Sequence, residues 1–249
     1  MIRIKNEREI AGIRESGKLL AWTLEELKKL VAEGITTREL DAFARSWIEG
    51  HGGKPAFLGY MNYPATLCVS LNNEVIHGIP GPRKLRQGDI VSIDVGVERN
   101  GYFSDAAVTV PVGATTRKRE KLMQVTRECL ELGIAEAVAG NRVSDISRAV
   151  YEHAVAGSFG VVRDYCGHGT GFAMHEDPQV PNYVGAGPNP RLKEGMVLAI
   201  EPMINAGSGE IALLDDEWTV VTADGADSAH FEHTVVVLRD RMEILTIFH

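Results

Sequence analysis

The sequence predicts an α+β chain made of two similar halves around a central, mostly antiparallel sheet. Three observations predict it. LRQGDIVSIDVG, from Leu85, is echoed by LKEGMVLAIEPM, from Leu192. Aligned without gaps, both read leucine, a basic residue, a polar residue, glycine, a mostly apolar run and a carboxylate, so that Asp94 falls opposite Glu201 at an offset of 107. VAEGITTREL and AVAGNRVSDI repeat at nearly the same interval, with Gly34 matching Gly140 at an offset of 106. Each of these is preceded and followed by a helical pattern, so each half reads helix, helix, strands. Two such units place paired strands in the middle and helices against them.

The first half, roughly 6–111, opens with apolar residues at helical spacing over 6–32. Threonine is available to cap another helix near 37–50, which Gly52 and Gly53 end. Asp89–Val110 reads DIVSIDVGVERNGYFSDAAVTV, in which Asn100-Gly101 is a two-residue hairpin signal between β-rich runs. The second half, roughly 116–240, repeats the order. Helices are expected over 116–139 and 144–157, the second with serine available as a cap and ended by Gly157 and Gly160. Strands follow in MVLAI and HFEHTVVVL. Residues 1–249 are read as one domain.

Composition narrows the function. The 249 residues are 44% hydrophobic and 24% charged, ordinary for a globular chain able to bury a core without staples. A net charge of −8 without a basic run suggests no nucleic-acid or anionic-membrane partner. Cys68, Cys129 and Cys166 are odd in number and lack CxxC spacing, which argues against a disulfide framework or a cysteine zinc site. The charged start lacks an apolar signal core, and no apolar run approaches membrane-spanning length. A cytoplasmic protein is expected.

The carboxylates carry the chemistry. The Asn100-Gly101 turn sets Asp94 opposite Ala107 and Asp105 opposite Gly96. Asp94 and Asp105 are then diagonal neighbours on one face, about 7–8 Å apart at Cα. On an exposed face they are simply solvated, but Asp94 lies inside IVSIDVGV, which reads as buried. Two buried carboxylates within reach of each other call for a cation. Glu201 ends the run MVLAI before Pro202, and Glu232 lies within HFEHTVVVL. Either alone fits an ordinary ion pair as well as a metal. The segment GHGTGFAMHEDP adds His168 and His175, seven residues apart. That spacing means one face on a helix and opposite faces on a strand, and glycine at three of five positions disfavours the helix. Four carboxylates with one histidine suit hard or borderline divalent ions. Asp94, Asp105, Glu201 and Glu232 together carry four negative charges, which two divalent ions balance.

These residues, with GDIVSIDVGV, GYFSDAAVT, GHGTG, EGMVLAIEP, SAHFEHTVVV and SLNNEVIHGIP in order, resemble the type I methionine aminopeptidases of peptidase family M24 over nearly the whole chain. The resemblance implies the duplicated pita-bread fold and, without an amino-terminal zinc-finger extension, the short bacterial form. It implies two divalent ions (Co, Mn, Fe or Zn) held by Asp94, Asp105, His168, Glu201 and Glu232. Asp105 and Glu232 bridge; His168 and Glu201 serve one ion and Asp94 the other. Water or hydroxide between the ions is then the nucleophile, with Glu201 moving its proton. His77 acts near the scissile amide and His175 steadies the tetrahedral intermediate. Phe57, Tyr60, Tyr63, Cys68, Met174 and Trp218 line the methionine pocket beside His77 and His175. Phe57 and Met174 stand where cysteine and phenylalanine are usual; both remain apolar, so methionine preference is expected to survive. Asn72 and Ser228 match residues near a monovalent cation site. His51, His153, His230, His233 and His249 match no role, although His230 and His233 flank Glu232.

The implied activity is removal of the initiator methionine from peptides and nascent proteins with a small second residue. A monomer associated with the ribosome is expected. Two other readings are a related pita-bread peptidase acting on X-Pro bonds and a non-catalytic pita-bread binding module. The X-Pro enzymes usually carry an extra amino-terminal domain, and the binding modules typically lose metal ligands.

Overall fold

The structure, a computed structural model, describes residues 1–247; His249 lies outside them. Helices α1 (Glu7–Leu30) and α2 (Thr37–Gly50) lead into strands β1 (Lys54–Pro55), β2 (Leu67–Leu71), β3 (Glu74–Ile76), β4 (Ile90–Arg99) and β5 (Tyr102–Pro111). Helices α3 (Arg117–Ala135) and α4 (Val143–Ala156) lead into β6 (Gly160–Val161), β7 (Gly167–Gly169), β8 (Glu176–Val180), β9 (Val197–Ile200) and β10 (Met203–Asn205). Strands β11 (Ile211–Leu213), β12 (Val220–Thr222), β13 (Ser228–His230), β14 (His233–Val237) and β15 (Met242–Ile244) complete the order.

The helix starts follow local chemistry. Asn6 caps α1 and Glu9 reaches back to the Asn6 N–H; Thr36 and Glu39 do the same for α2. The expected serine cap of α4 is not used. Ser144 lies inside the first turn, and the exposed N–H groups of Arg142 and Ser144 are taken by Asp145 and Asn189. Helix α3 stops short of 139 because the N–H groups of Ala139 and Gly140 bond outward, to the carbonyls of Leu238 and Leu192.

The hairpin forms in the expected register. Arg99 pairs with Tyr102, Asp94 with Ala107 and Gly96 with Asp105. Asn100 and Gly101 both have positive φ, 54° and 83°, as a tight hairpin turn requires. On its other edge β4 pairs with β2 and, further along, with β1. In the second half β9 takes the place of β4, flanked by β14 and β7, with β15 and β8 outside them. Helices α1 and α2 bury Leu20, Leu27, Leu40 and Ile48 against the β2, β4 and β5 sheet. Helices α3 and α4 bury Leu122, Cys129, Ile146 and Val150 against the second sheet.

The expected central sheet is not one unbroken ladder. Two sheets meet where β5 runs antiparallel to residues 230–234. In the middle, the Glu232 N–H donates to the Ala107 carbonyl at 2.9 Å and the Ala107 N–H to the Glu232 carbonyl at 3.4 Å. At either end a threonine hydroxyl replaces a backbone partner. Thr234 Oγ1 accepts from the Asp105 N–H at 2.9 Å and donates to the Asp105 carbonyl at 2.8 Å. Thr109 Oγ1 accepts from the His230 N–H at 2.9 Å and donates to the His230 carbonyl at 2.8 Å. Thr109 and Thr234 are therefore counterparts about a twofold axis through the Ala107–Glu232 pair.

Candidate metal centre and substrate cavity

The seam brings the five expected metal-ligating residues together. Asp94 and Asp105 project from one face of the β4–β5 hairpin. His168 sits on β7 opposite Ala199 of β9. Glu201 follows β9, and Glu232 lies between β13 and β14. Asp105, His168 and Glu232 each offer a ligand atom within 4.8 Å of the others. His168 Nε2 is 3.5 Å from a Glu201 oxygen and 3.7 Å from an Asp105 oxygen.

The electrostatics favour a cation or bound protons over four bare charges. Asp94 Oδ1, Asp105 Oδ1 and Glu232 Oε1 are buried without a hydrogen-bond partner. Burial pushes all four carboxyls above their ordinary range, and for Asp105, Glu201 and Glu232 neighbouring carboxylates push them further. No protonated histidine balances them. Burial, with His175 nearby, holds His168 down to about 3, and burial with His77 nearby does the same for His230. His168 Nδ1 donates to the Gly169 carbonyl at 2.9 Å. That bond fixes the tautomer and leaves the Nε2 lone pair facing the carboxylates. A neutral imidazole nitrogen and a ring of carboxylate oxygens, all acceptors, fit a divalent ion.

A cavity of about 150 Å³ opens on the carboxylates and is walled by Phe57, Tyr60, Tyr63, Cys68, His77, His175 and Trp218. Met174 backs it, packed with Phe57, Tyr63 and Cys68. Gly96 makes this floor possible. A Cβ there would lie 2.7 Å from a Phe57 ring carbon and 3.0 Å from Met174 Sδ. Tyr63 is anchored by its hydroxyl, which lies 2.9 Å from the Leu67 carbonyl and 3.1 Å from that of Gly78. Its ring meets Trp218 edge-on at 4.9 Å. His77 is held at φ 59°, a left-handed conformation costly for a non-glycine residue. Burial lowers its pKa to about 4, so it is neutral at pH 7. His175 Nδ1 is 2.8 Å from the Tyr60 hydroxyl, and its ring lies 4.2 Å from that of His168. Asn72 and Ser228 are also neighbours, the Ser228 N–H donating to the Asn72 carbonyl at 2.8 Å.

Residues 11–239 match the sequence profile of metallopeptidase family M24. The chain belongs to that family. Within M24 it stands with the methionine aminopeptidases. It is 52% identical over 247 residues to the methionine aminopeptidase of Clostridium perfringens, covering 99% of each chain. The crystal structure of methionine aminopeptidase from Rickettsia prowazekii matches with a TM-score of 0.97 at 40% identity, covering 99% of this chain and 100% of that one. Prolidase from Pyrococcus furiosus shares the pita-bread fold, with a TM-score of 0.80 at 23% identity, covering 99% of this chain and 66% of its own. As a member of M24 the chain is a metal-dependent peptidase, with a site for divalent metal. Among the described residues, no helix is long and apolar enough to cross a membrane.

Two residues at the M24 site carried no strong sequence signal. His230 is fully buried, and its Nε2 lies 3.7 Å from a Glu201 oxygen with no hydrogen-bond partner. Its place two residues before Glu232 was the only hint. Met61, exposed and at φ 48°, stands at the cavity mouth; nothing in its sequence context marks it.

Proposed function

We propose that this chain removes the N-terminal methionine from peptides and nascent proteins whose second residue is small. It acts as a cytoplasmic monomer at the ribosome, with residues 1–249 forming one catalytic domain. The observation that carries this reading is the apolar, Met174-backed cavity opening directly onto four carboxylates, three of them buried and Glu201 partly so. Asp94, Asp105, His168, Glu201 and Glu232 hold the metal, with Asp105 and Glu232 at the centre of the cluster. Two divalent ions of the Mn, Fe, Co or Zn class match the four carboxylate charges. Bound there, they supply an activated water and polarise the scissile carbonyl.

The side chains do the rest. Phe57, Tyr63, Cys68, Met174 and Trp218 seat the methionine side chain and exclude water from it. Tyr60 holds His175 over the cavity. His175 donates a hydrogen bond to the developing oxyanion. Glu201, whose burial raises its proton affinity, accepts the proton of the attacking water. His77, neutral and fixed by its backbone, hydrogen-bonds the scissile amide nitrogen. Asn72 and Ser228 mark the position of a monovalent cation.

The test is metal-reconstituted turnover of a Met-X-Ser panel beside an X-Pro dipeptide. Release of methionine from Met-Ala-Ser, lost on chelation and abolished in Asp105→Ala and Glu232→Ala, is expected. Preference for the X-Pro substrate, or full activity in either variant, overturns the assignment. Failure with every metal of the series favours a binding module.

A further inference from the structure

The turn that carries Met174 and His175 is held by a buried ion pair to Lys5, which precedes α1. Glu176, the first residue of β8, closes a turn that leaves β7 after Gly169. Its Oε1 accepts from the Phe172 N–H at 2.6 Å and the Ala173 N–H at 3.2 Å. Its Oε2 takes Lys5 Nζ at 2.9 Å, and the two side chains are only 7% and 1% exposed. Lys5 is fixed in turn, its N–H donating to the Gly195 carbonyl at 2.8 Å. Its ammonium lies 5.5 Å from the centre of the Phe172 ring, with the Arg3 guanidinium at 5.4 Å from the same ring. The backbone beneath is equally close. A Cβ on Gly171 would lie 3.1 Å from Lys5 Cε and 2.6 Å from Ile13 Cδ1.

Elsewhere in the chain, ion pairs such as Lys18–Glu15 or Arg45–Glu49 are half exposed. Those contribute little. A pair this deeply buried is weak evidence for stability in itself, because desolvation offsets its attraction. Removing Lys5, however, leaves the Glu176 carboxylate buried without its cation and loosens its hold on the two N–H groups that define the turn, and removing Glu176 frees those groups outright. The turn's other contents are Met174, packed on Phe57 and Cys68, and His175, bonded to Tyr60.

We infer that Lys5 and Glu176 are positioning residues: the pair sets the placement of Met174 and His175, and so both the fit of the methionine side chain and the steadying of the reaction. The inference rests on the substrate roles proposed for those two residues. Small displacements at such contacts are costly, of order a hundredfold in rate for a shift near 1 Å.

The test compares wild-type holoenzyme with Lys5→Met and with Lys5→Met/Glu176→Gln. The double variant keeps an acceptor for the Phe172 and Ala173 N–H groups and leaves no unpaired charge. Three readouts are taken: kcat and KM on Met-Ala-Ser, bound metal, and hydrogen exchange at Phe172 and Ala173. In Lys5→Met, kcat is expected to fall and KM to rise, lowering kcat/KM roughly tenfold to a hundredfold. Exchange at the two amides quickens, metal content stays at the wild-type level, and the double variant recovers most of the loss. Wild-type kcat and KM in folded Lys5→Met overturn the inference, whether or not exchange quickens. Loss of metal with loss of activity overturns it too, since the pair then supports the metal cluster instead. Should Lys5→Met not fold, the folded double variant decides: recovery of exchange protection and kcat/KM supports the inference, and protection without activity overturns it. Failure of the wild type itself to release methionine refutes the functional reading and is separately visible.

Discussion

Thr234→Val is the sharpest probe of how the two halves are joined. Valine keeps the shape and the branched Cβ that suit a strand, so buried area hardly changes. What it removes is one hydroxyl, which serves both the N–H and the carbonyl of Asp105 in a fully buried seam. Each backbone group left without a partner costs about 1–3 kcal/mol. Two of them amount to about 2–6 kcal/mol, a large share of the ~5–15 kcal/mol that holds a typical domain folded. Urea unfolding of the chelator-treated protein, followed by circular dichroism, measures this. Thr234→Ser restores the hydroxyl and forfeits one methyl, about 0.8 kcal/mol. Because Asp105 is held by that hydroxyl, Mn²⁺ binding by calorimetry should weaken in the valine variant and not in the serine one. The result that refutes the reasoning is a valine variant within about 0.5 kcal/mol of wild type, the range of an ordinary surface change.

Two further outcomes follow from the site. The carboxyls of Asp94, Asp105, Glu201 and Glu232 are all raised in the fold, so the folded state holds protons that the unfolded chain releases. Their contribution is complete below the unfolded carboxylate range and is lost as pH rises through the folded values. His168 and His230, lowered to about 3, act in the opposite sense, but only below the unfolded histidine pKa of about 6.5. Above about pH 6.5 the histidines no longer oppose the carboxyls, and the raised thiols of Cys68, Cys129 and Cys166 add to the same trend only toward the thiol range of about 8.5, so the Tm of metal-free protein should fall between about pH 6.5 and 7.5, and Mn²⁺ should remove the fall; a flat metal-free profile counts against buried, uncompensated carboxylates. Separately, Gly96→Ala should force Phe57 or Met174 into the cavity and raise KM for Met-Ala-Ser roughly tenfold, with Mn²⁺ affinity retained. Unchanged KM in steady-state kinetics would mean that the floor yields elsewhere.

What was legible in the sequence was what local chemistry decides. Asn100-Gly101 fixes a turn, the turn fixes a register, and the register puts Asp94 and Asp105 on one face. The threonine available before 37–50 caps that helix for the same reason, as Thr36. The repeat around Asp94 and Glu201 announced the halves. The relation of His168 to His175 was not legible. The β7–β8 pairing slips between His168 and Gly169, and the intervening turn follows neither helical nor strand parity. The two rings therefore lie together despite an odd spacing. The threonine contacts of the seam, the His230 approach to Glu201 and the Asn189 cap of α4 join residues far apart in the chain. Periodicity holds no record of such partners; only the packed fold brings them together.

The twofold seam also says how far the halves have diverged. Counterparts across it lie 125 residues apart: Thr109 and Thr234, Ala107 and Glu232, Asp105 and His230. The matching strand registers likewise set Ser70 against His168. Two copies of the first half alone, paired on this axis, would gather only aspartates, an all-oxygen nest suited to hard ions such as Mg²⁺ or Ca²⁺. The second half brings His168 and Glu232 where the first has serine and alanine. The joint kept its symmetry at the threonines while the side chains around the carboxylates gave theirs up, and a donor set with an imidazole nitrogen among oxygens suits borderline divalent ions better than oxygens alone.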